Sequence, residues 1–519
     1  MHVIADLQLH SRFSRAVSKD MTLPNIAAWA ARKGIKLVAT GDWTHPLWLR
    51  EIEKDLEETG NGLLRLKQGA EVGQTFSASP PSLSPSASSA KSANGVALLE
   101  KAGLPAPSPL FLLATEISCI YTQGGKMRRV HTLVWVPSLK SARKINQEMT
   151  RSGCNLLSDG RPIIGLTSIQ LAELVLSLEP KALIIPAHAW TPWFSLYGSM
   201  SGFDSIDEAF GPFAKNIYAV ETGLSSSPAM NWRIAELDNR AIVSFSDAHS
   251  GPKLGREATV FDVGELTYES IYQAINSAGA KVGTPWSRDG QGPDLSGVPK
   301  DLGARAMAVA AKGVPPRAAP SIAYTIEFYP EEGKYHYTGH RLCNIRLSPQ
   351  ETRQKGTTCP VCGKALTIGV AQRVEDLASR SEEDLKLSAV NYQLSAGAAT
   401  VRMVSSRAFP NRPPFVMLVP LQEIIAEAIG SPVASPKVQS AYGRLTEVLG
   451  GEFTVLLSAA TEEIAKLAGS MVAQGVEKVR QGEIVIDPGY DGVFGVVAIW
   501  RGEEGKPLLN LSREQLSMF

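Results

Sequence analysis

The first half of the chain alternates short apolar runs with stretches of helical periodicity. Apolar, β-branched runs predict buried strands at residues 3–7, 35–40, 110–114, 182–187, 217–220 and 241–246. Helices are predicted at 22–34, with Thr22 as the cap and Gly34 at the end, and at 48–58 and 268–278. Strands that alternate with helices in this way are typical of α/β proteins with parallel strands.

Two other patterns complete the set of predicted elements. Residues 117–122 and 129–136 flank a Gln-Gly-Gly-Lys segment and predict a β-hairpin. Beyond residue 320, strands are predicted at 321–329, 483–486 and 493–500, and helices at 420–429 and 458–479. The second half is therefore predicted to end in an α+β domain, and its pattern carries no chemistry of its own.

Polar side chains stand where the predicted strands of the first half end. The strand at 241–246 runs into Asp247 and His249, which an extended chain places on one side. The other members of this set are His10, Asp42, Glu116, His131 and His188. The set holds four of the eight histidines in the chain. Carboxylates and imidazoles bind divalent metals, and the carboxyl ends of parallel strands meet at one edge, so the sequence predicts a metal site there.

A second metal-ligand pattern lies in the middle of the chain. His340-x-x-Cys343 is followed, after fifteen residues, by Cys359-x-x-Cys362. Two such pairs are the signature of a zinc ribbon, and four protein ligands make a closed site that is structural rather than catalytic. His336 is an alternative ligand at a less suitable offset.

Composition limits the function classes. The chain has 519 residues, which favours two or three domains, and 52 Lys and Arg against 51 Asp and Glu, so no global charge indicates a nucleic-acid partner or an acidic tail. No apolar run is long enough for a membrane span. A signal peptide is not expected, because residues 3–7 already form a predicted strand that contains Asp6. Five cysteines, three of them between 343 and 362, indicate a reducing compartment, and we expect a soluble cytoplasmic protein.

The motifs DLQLHSRFS, TGDWTHP, ATEIS, RVHTLVW, PAHAWTPW and SDAHSG resemble those of the PHP (polymerase and histidinol phosphatase) metallohydrolases. Within that superfamily they most resemble the endonuclease Q-like DNA repair nucleases. The resemblance implies an α/β fold in which a distorted (β/α)7 barrel is followed by a zinc-ribbon module and an α+β DNA-clamping domain. It also implies incision 5′ of a deaminated base (hypoxanthine, uracil or xanthine) or at an abasic site.

The resemblance and the patterns together give domain boundaries. The barrel would cover 1–285, with the Ser-, Ala- and Pro-rich stretch 75–108 as a mobile surface insertion. A polar linker at 286–317, the zinc module at 318–372, the C-terminal domain at 373–505 and a tail at 506–519 would follow.

The resemblance also assigns roles to site residues. It implies two or three divalent ions (Zn²⁺, Mg²⁺ or Mn²⁺) in the barrel, besides one structural Zn²⁺. The metal-ligating residues would be Gln8, His10, Asp42, Glu116, His131, His188, Asp247 and His249, of which Glu116, His188, Asp247 and His249 would be catalytic. Gln8 departs from the His-x-His of the superfamily. A neutral amide is a poor zinc ligand and a tolerable magnesium ligand, so one metal position is expected to be weaker.

Residues beside these motifs are candidates for DNA contact. Arg12 follows the first motif, and Trp190, Trp193 and Tyr197 follow His188, where aromatic rings could stack on an extruded base. The alternative for the three aromatic residues is a place in the core.

The last five residues resemble the peptide with which bacterial repair and replication enzymes bind the sliding clamp. Gln515 would fix the register, and Leu516, Met518 and Phe519 would fill an apolar cleft. A tail that folds back on the C-terminal domain is the alternative.

Other functions stay open from the sequence alone. One is a PHP-type phosphoesterase that acts on a small phosphorylated substrate, although such a substrate needs neither a zinc ribbon nor a large second half. Another is a non-catalytic DNA-binding scaffold in which Gln8 marks a decayed metal site. A DNA helicase is a further candidate partner, which the sequence does not decide.

Overall fold

The structure is a computed structural model that describes residues 1–68, 108–281, 319–394 and 399–500. It is a mixed α/β protein built around one 13-stranded sheet, and three further sheets have two strands each. The strands are β1 (His2–Asp6), β2 (Leu37–Ala39), β3 (Leu56–Glu58), β4 (Leu64–Leu66), β5 (Leu110–Gln123), β6 (Lys126–Val136), β7 (Ile163–Ile164), β8 (Leu183–Pro186), β9 (Ala219–Glu221), β10 (Ala241–Val243), β11 (Ala258–Asp262), β12 (Ser321–Glu327), β13 (Thr338–His340), β14 (Ile345–Leu347), β15 (Leu387–Gln393), β16 (Thr400–Ser406), β17 (Phe415–Met417), β18 (Val485–Asp487) and β19 (Val496–Ala498).

The α-helices lie outside this sheet. They are α1 (Leu23–Lys33), α2 (Pro46–Asp55), α3 (Leu139–Arg151), α4 (Ser168–Leu178), α5 (Ile206–Phe210), α6 (Pro228–Asn231), α7 (Tyr268–Lys281), α8 (Pro349–Lys355), α9 (Val370–Leu377), α10 (Leu421–Ile429), α11 (Pro436–Leu449), α12 (Glu452–Leu457), α13 (Thr461–Ala468) and α14 (Ser470–Gln481). None of the described helices is long and apolar enough to cross a membrane.

Parallel pairing gathers several strand ends at one edge of the sheet. Strand β1 pairs in parallel with β2, and β2 pairs in parallel with β5. Strand β6 is antiparallel to both β5 and β8, so β8 runs in the same direction as β5. Strands β9 and β10 form a separate parallel pair. The closed seven-stranded barrel stays a prediction, whereas the large α/β sheet is what the structure shows.

The sheet continues from the first half of the chain into the second. Strand β11 pairs with β1 on one side and with β12 on the other, and β12 pairs with β17. A buried ion pair adds a second connection, because Lys33 Nζ of α1 lies 2.6 Å from Glu452 Oε2 at the start of α12. Both side chains are almost fully buried, so the two halves share a packed interior.

Three predicted elements differ from the structure. Helix α2 ends at Asp55, and residues 56–58 instead form the strand β3, which pairs with β4. The predicted strand at 110–114 and the first hairpin arm are one continuous strand, β5, because its residues are buried almost throughout. The predicted helix at 458–479 is divided into α13 and α14 at Gly469, whose φ of 96° no α-helix contains.

Candidate metal centre

The β5–β6 hairpin supplies two of the candidate ligands. Glu116 lies opposite Leu133, and His131 lies opposite Ser118. Because side chains alternate along a strand and opposite partners share a face, Glu116 and His131 lie on the same face of the hairpin. They therefore meet in the middle of two long strands. The sequence pattern had placed this set of residues at strand ends.

The other candidate ligands follow strands at sharp backbone turns. Asp42, His188 and Asp247 follow β2, β8 and β10 with φ values of 44°, 31° and 47°. A non-glycine residue in this left-handed region is uncommon, and its backbone strain costs of order 1–3 kcal/mol. Such strained residues often occur at functional sites. The extended geometry expected from Asp247 to His249 is therefore wrong, because the chain turns at Asp247.

One cluster joins the first and last motifs. The main-chain N–H of His10 donates to Ala248 O at 3.0 Å, which fixes the two motifs side by side. His10 Nε2 lies 3.2 Å from Asp247 Oδ1, and His249 Nδ1 lies 3.8 Å from the same oxygen. Ligand atoms of His10, Asp247 and His249 lie within 4.8 Å of one another, so the three could hold one ion.

A second cluster lies on the other side of Glu116. His131 Nδ1 is 2.5 Å from Glu116 Oε1, and His188 Nε2 is 3.5 Å from that oxygen and 3.2 Å from His131 Nδ1. The other carboxylate oxygen, Oε2, is 3.2 Å from His10 Nε2. Glu116 therefore contacts residues of both clusters, and its two oxygens would be available to ions held there.

Gln8 and Asp42, which the sequence predicted as ligands, lie beside these clusters. Each contacts a member of a cluster. Asp42 accepts hydrogen bonds from the main chain and hydroxyl of Ser11 and from the hydroxyl of Ser14, and lies 3.0 Å from His10 Nδ1. Asp42 is not a member of either cluster, and its predicted role as a ligand stays a prediction. In this structure it holds the ring of His10 with Nε2 toward the cluster, an arrangement that raises the basicity of a ligating histidine.

Gln8 is buried beside Glu116. Its Nε2 donates to Glu116 Oε2 at 2.9 Å, whereas its Oε1 is buried without a hydrogen-bond partner. Asp247 Oδ1 is likewise buried without a hydrogen-bond partner. Unpaired buried oxygens are costly, and a bound cation would satisfy both.

The acid–base properties also suit cations. Burial would raise the pKa of Glu116, but its interactions with His131 and Arg161 hold the pKa well below its ordinary value. Burial lowers the pKa of His131 to about 4, which keeps its imidazole neutral near pH 7 and able to bind a metal. The donor set fits divalent ions, because ligands at about 2.1 Å from a tetrahedral ion lie about 3.4 Å apart. Apart from the shorter 2.5 Å contact between His131 Nδ1 and Glu116 Oε1, the separations given above within the two clusters are 3.2–3.8 Å, close to that value.

The motif analysis missed two residues at this centre. Arg161 Nη1 lies 3.4 Å from Glu116 Oε1, and its side chain is 24% exposed. Glu221 ends β9 and accepts a hydrogen bond from the main-chain N–H of His188. Burial raises the pKa of Glu221 well above its ordinary value. Its place at the end of a buried strand was a usable signal, whereas Arg161 lies in a loop that gave none.

A pocket with a volume of about 680 Å³ opens beside both clusters. His131, His188 and Asp247 form one wall, and residues of the second half of the chain form the other. The aromatic residues in its lining are Trp193, Phe194, Phe328, Tyr335 and Phe494, and the basic ones are Arg129, Lys253, Arg256 and Lys334. The pocket therefore exists only because the two halves pack together.

The predicted DNA-contact residues do not all reach this pocket. Trp193 lines it, whereas Trp190 and Tyr197 are fully buried, donate to Asn231 and Glu236, and cannot stack on a base. The stacking role is wrong for these two, and the core alternative is right. Arg12 pairs with Glu51 at 2.6 Å on the surface, outside the pocket lining.

The four predicted zinc ligands form a separate cluster. Ligand atoms of His340, Cys343, Cys359 and Cys362 lie within 4.8 Å of one another. His336 is not part of it and instead lines the pocket. Hydrogen bonds from the neighbouring main chain and His340 outweigh burial and lower the pKa of the Cys359 thiol to about 6, so the thiolate that zinc requires is available at neutral pH. The clamp motif at 515–519, the linker at 286–317 and nearly all of the 75–108 insertion lie outside the described residues.

Comparison with known sequences gives relatives from archaea and bacteria. Residues 420–483 match the model of the MJ0043 C-terminal domain family. The chain is 28% identical over 318 residues to the MJ0043 protein of Methanocaldococcus jannaschii, a match that covers 60% of this chain and 31% of that protein. It is 28% identical over 405 residues to the YqxK protein of Bacillus subtilis, covering 77% of this chain and 81% of that protein.

Comparison with solved structures covers the whole chain. The lesion-specific endonuclease PfuEndoQ from Pyrococcus furiosus superposes with a TM-score of 0.68 at 28% identity, over 100% of this chain and 99% of that one. Endonuclease Q bound to a 27-mer duplex substrate, with an abasic lesion at the active site, also gives a TM-score of 0.68 at 28% identity, over 99% and 100% of the two chains. The chain is therefore endonuclease Q-like in sequence and in fold, which confirms the resemblance that its motifs carry.

Proposed function

We propose that this protein is a metal-dependent DNA repair endonuclease that cuts the phosphodiester 5′ of a deaminated base (hypoxanthine, uracil or xanthine) or at an abasic site. One observation carries the proposal. The pocket of about 680 Å³ shares His131, His188 and Asp247 with the two metal clusters. A nucleotide that leaves the duplex needs a cavity of this size, and its backbone phosphate would then lie beside the clusters.

The residues of the two clusters and their neighbours would have different roles in phosphodiester hydrolysis. His10, Asp247 and His249 would hold one divalent ion, and Glu116, His131 and His188 a second. Two or three ions of Zn²⁺, Mg²⁺ or Mn²⁺ supply Lewis acidity toward the phosphate and lower the pKa of water when bound. Arg161, close to Glu116, would bind a non-bridging phosphate oxygen. Asp42 and Glu221 keep His10 and His188 in place.

The pocket lining suits an extruded nucleotide. Trp193, Phe194 and Tyr335 offer ring faces and edges to a base, while Arg129 and Lys253 carry charge that suits the backbone. Contacts with ring faces discriminate weakly among flat bases of similar size, and a pocket that holds a base also has room for an abasic sugar. This breadth fits the three bases and the abasic site that the proposal includes.

The cluster formed by His340, Cys343, Cys359 and Cys362 would hold one structural Zn²⁺.

The proposal also includes two protein partners. Residues 515–519 would bind a bacterial sliding clamp, which would tether the enzyme to DNA. Truncation after Glu514 would then remove clamp binding and leave incision of free oligonucleotides unchanged. A DNA helicase that opens duplex for the enzyme is a second partner of this kind.

Incision of labelled duplexes tests the proposed function. Duplexes with a single hypoxanthine, uracil or abasic site are incubated with Mg²⁺ or Mn²⁺, and we expect one cut at the lesion. Asp247→Ala should abolish the cut and keep DNA binding, because it removes a ligand at an open site and no core packing. Asp207→Ala, at an exposed aspartate in α5, is the matched control and should cut normally. Absence of incision by the parent protein with either ion, or full incision by Asp247→Ala, contradicts the proposal.

A further inference from the structure

Two apolar side chains are unusually exposed at the tips of the metal-ligand pairs. Leu342 is 81% exposed and Val361 is 67% exposed, more than any other large apolar residue that the structure describes. Each directly precedes the second ligand of its pair, Cys343 or Cys362. Since the four ligand atoms lie within 4.8 Å of one another, the two tips lie on neighbouring turns.

The segment that carries them, residues 337–369, is here named the knuckle module. Leu347, Cys359 and Leu366 form its small buried core, so Leu342 and Val361 are not needed to fill it. Single exposed apolar residues are common on proteins, but two at equivalent positions of adjacent turns form a defined apolar point. Such a point indicates contact with another molecule.

The charge around this point indicates which molecule. The knuckle module contains five Lys or Arg residues and one Glu, although the whole chain has a net charge of only +1. All five basic residues are exposed: Arg341, Arg346, Arg353, Lys355 and Lys364. Three of them pair with carboxylates, Arg346 with Asp487, Arg353 with Glu375 and Lys355 with Glu351. Arg341 and Lys364 lie next to the two tips, at Leu342 and Val361, and supply the charge there. An apolar protein partner would not need such a surround, whereas the phosphates of a duplex would bind it.

The knuckle module also lies next to the pocket. His336 and Val370, the residues on either side of it, both line the pocket, and the main-chain N–H of Val370 donates to Tyr335 O at 2.9 Å. Leu342 is the sixth residue after His336, so the two lie about 20 Å apart at most. At about 3.4 Å per base pair, the tips can therefore reach DNA only within about six base pairs of a nucleotide in the pocket.

We propose that Leu342 and Val361 form a wedge that inserts between base pairs beside the lesion and unstacks them, so that the damaged nucleotide can leave the duplex. This inference rests on the proposed function and adds to it a residue pair and a DNA deformation. Apolar side chains that enter a base step unstack it at a cost of a few kcal/mol, and basic residues that bind the flanking phosphates offset this cost.

The test uses the full-length, metal-loaded protein in an Asp247→Ala background, which keeps the substrate uncut. Leu342→Ala/Val361→Ala is compared with Val448→Ala/Met471→Ala, a matched pair of exposed apolar residues outside the knuckle module. The fluorescence of 2-aminopurine, placed at each of about six positions on either side of an abasic site, reports unstacking. Affinity is measured for this duplex and for one in which the same neighbouring bases are mismatched and already open.

We expect a rise in fluorescence near the lesion with the Asp247→Ala protein and the control pair, and none with the wedge variant. The wedge variant should bind the paired duplex about tenfold more weakly and the pre-opened duplex as tightly as its parent. Unchanged fluorescence overturns the wedge, and so does an equal loss of affinity for both duplexes, which indicates a simple surface contact. If the parent fails to bind lesion duplexes at all, the proposed function itself is contradicted.

Discussion

Gly223 offers a sharp test of how the metal centre is positioned. It lies two residues beyond Glu221 with a φ of 56°, and its backbone packs against His188. A methyl group at residue 223 would lie 2.2 Å from His188 Cβ and 2.4 Å from His188 Cα. Neither atom belongs to a flexible side-chain end, so Gly223→Ala must displace the residue that carries a candidate ligand.

The size of the displacement follows from these distances. Ordinary van der Waals contact begins near 3.4 Å, so His188 and residue 223 must separate by about 1 Å. Metal–ligand distances tolerate only about 0.2 Å, and a misplacement of about 1 Å in a catalytic centre costs about 100-fold in rate. We therefore expect Gly223→Ala to lose one of the bound ions and to incise abasic-site duplex about 100-fold more slowly.

Gly124→Ala is the control for backbone strain alone. Gly124 has a φ of 60° in the β5–β6 turn, and an added methyl group there meets nothing within 4 Å. Metal analysis, incision rate and the thermal unfolding temperature are measured for both variants. Equal metal content and equal incision in the two variants would show that contact with Gly223 does not hold His188, and the argument from packing would be wrong.

Three further predictions concern other parts of the molecule. Cys359→Ser should lower the zinc content by one ion per chain and unfold the knuckle module, because structural zinc is folding free energy; retention of tightly bound zinc contradicts this. Burial raises the pKa of Glu327 from 4.5 to about 7, so its contribution to stability is full below pH 4.5 and is lost as pH rises from 4.5 through 7. Glu327→Gln, which keeps an acceptor for Ser244 Oγ, should flatten the dependence of unfolding temperature on pH between 5 and 8. An unchanged profile would show that Glu327 does not cause this pH dependence. Glu452→Gln should cost about 3–5 kcal/mol in denaturant unfolding, because Lys33 stays buried with no charged partner, and Lys33→Met/Glu452→Gln should recover most of it; a double variant as unstable as the single one contradicts the ion-pair argument.

The sequence by itself determined the class of the fold and most members of the candidate metal clusters. Alternating strand and helix periods predicted an α/β chain, and His10, Glu116, His131, His188, Asp247 and His249 were recognised as a set. This was possible because such residues recur after buried runs, and local periodicity is enough to locate those runs. The spacing of the Cys pair and its His-Cys counterpart was equally local, and it predicted a cluster that the structure brings together.

The tertiary structure alone decided what each of these residues contacts. Asp42 was predicted as a ligand, yet Ser11 and Ser14 donate to its Oδ2 and His10 faces its Oδ1, and Arg161 reaches Glu116 from a loop that showed no pattern. Trp190 and Tyr197 are core residues, whereas Trp193 in the same segment lines the pocket. The hydrogen-bond partners of these residues lie 28 to 45 positions away, and the pocket forms only where the two halves of the chain pack together, so no local pattern records those contacts.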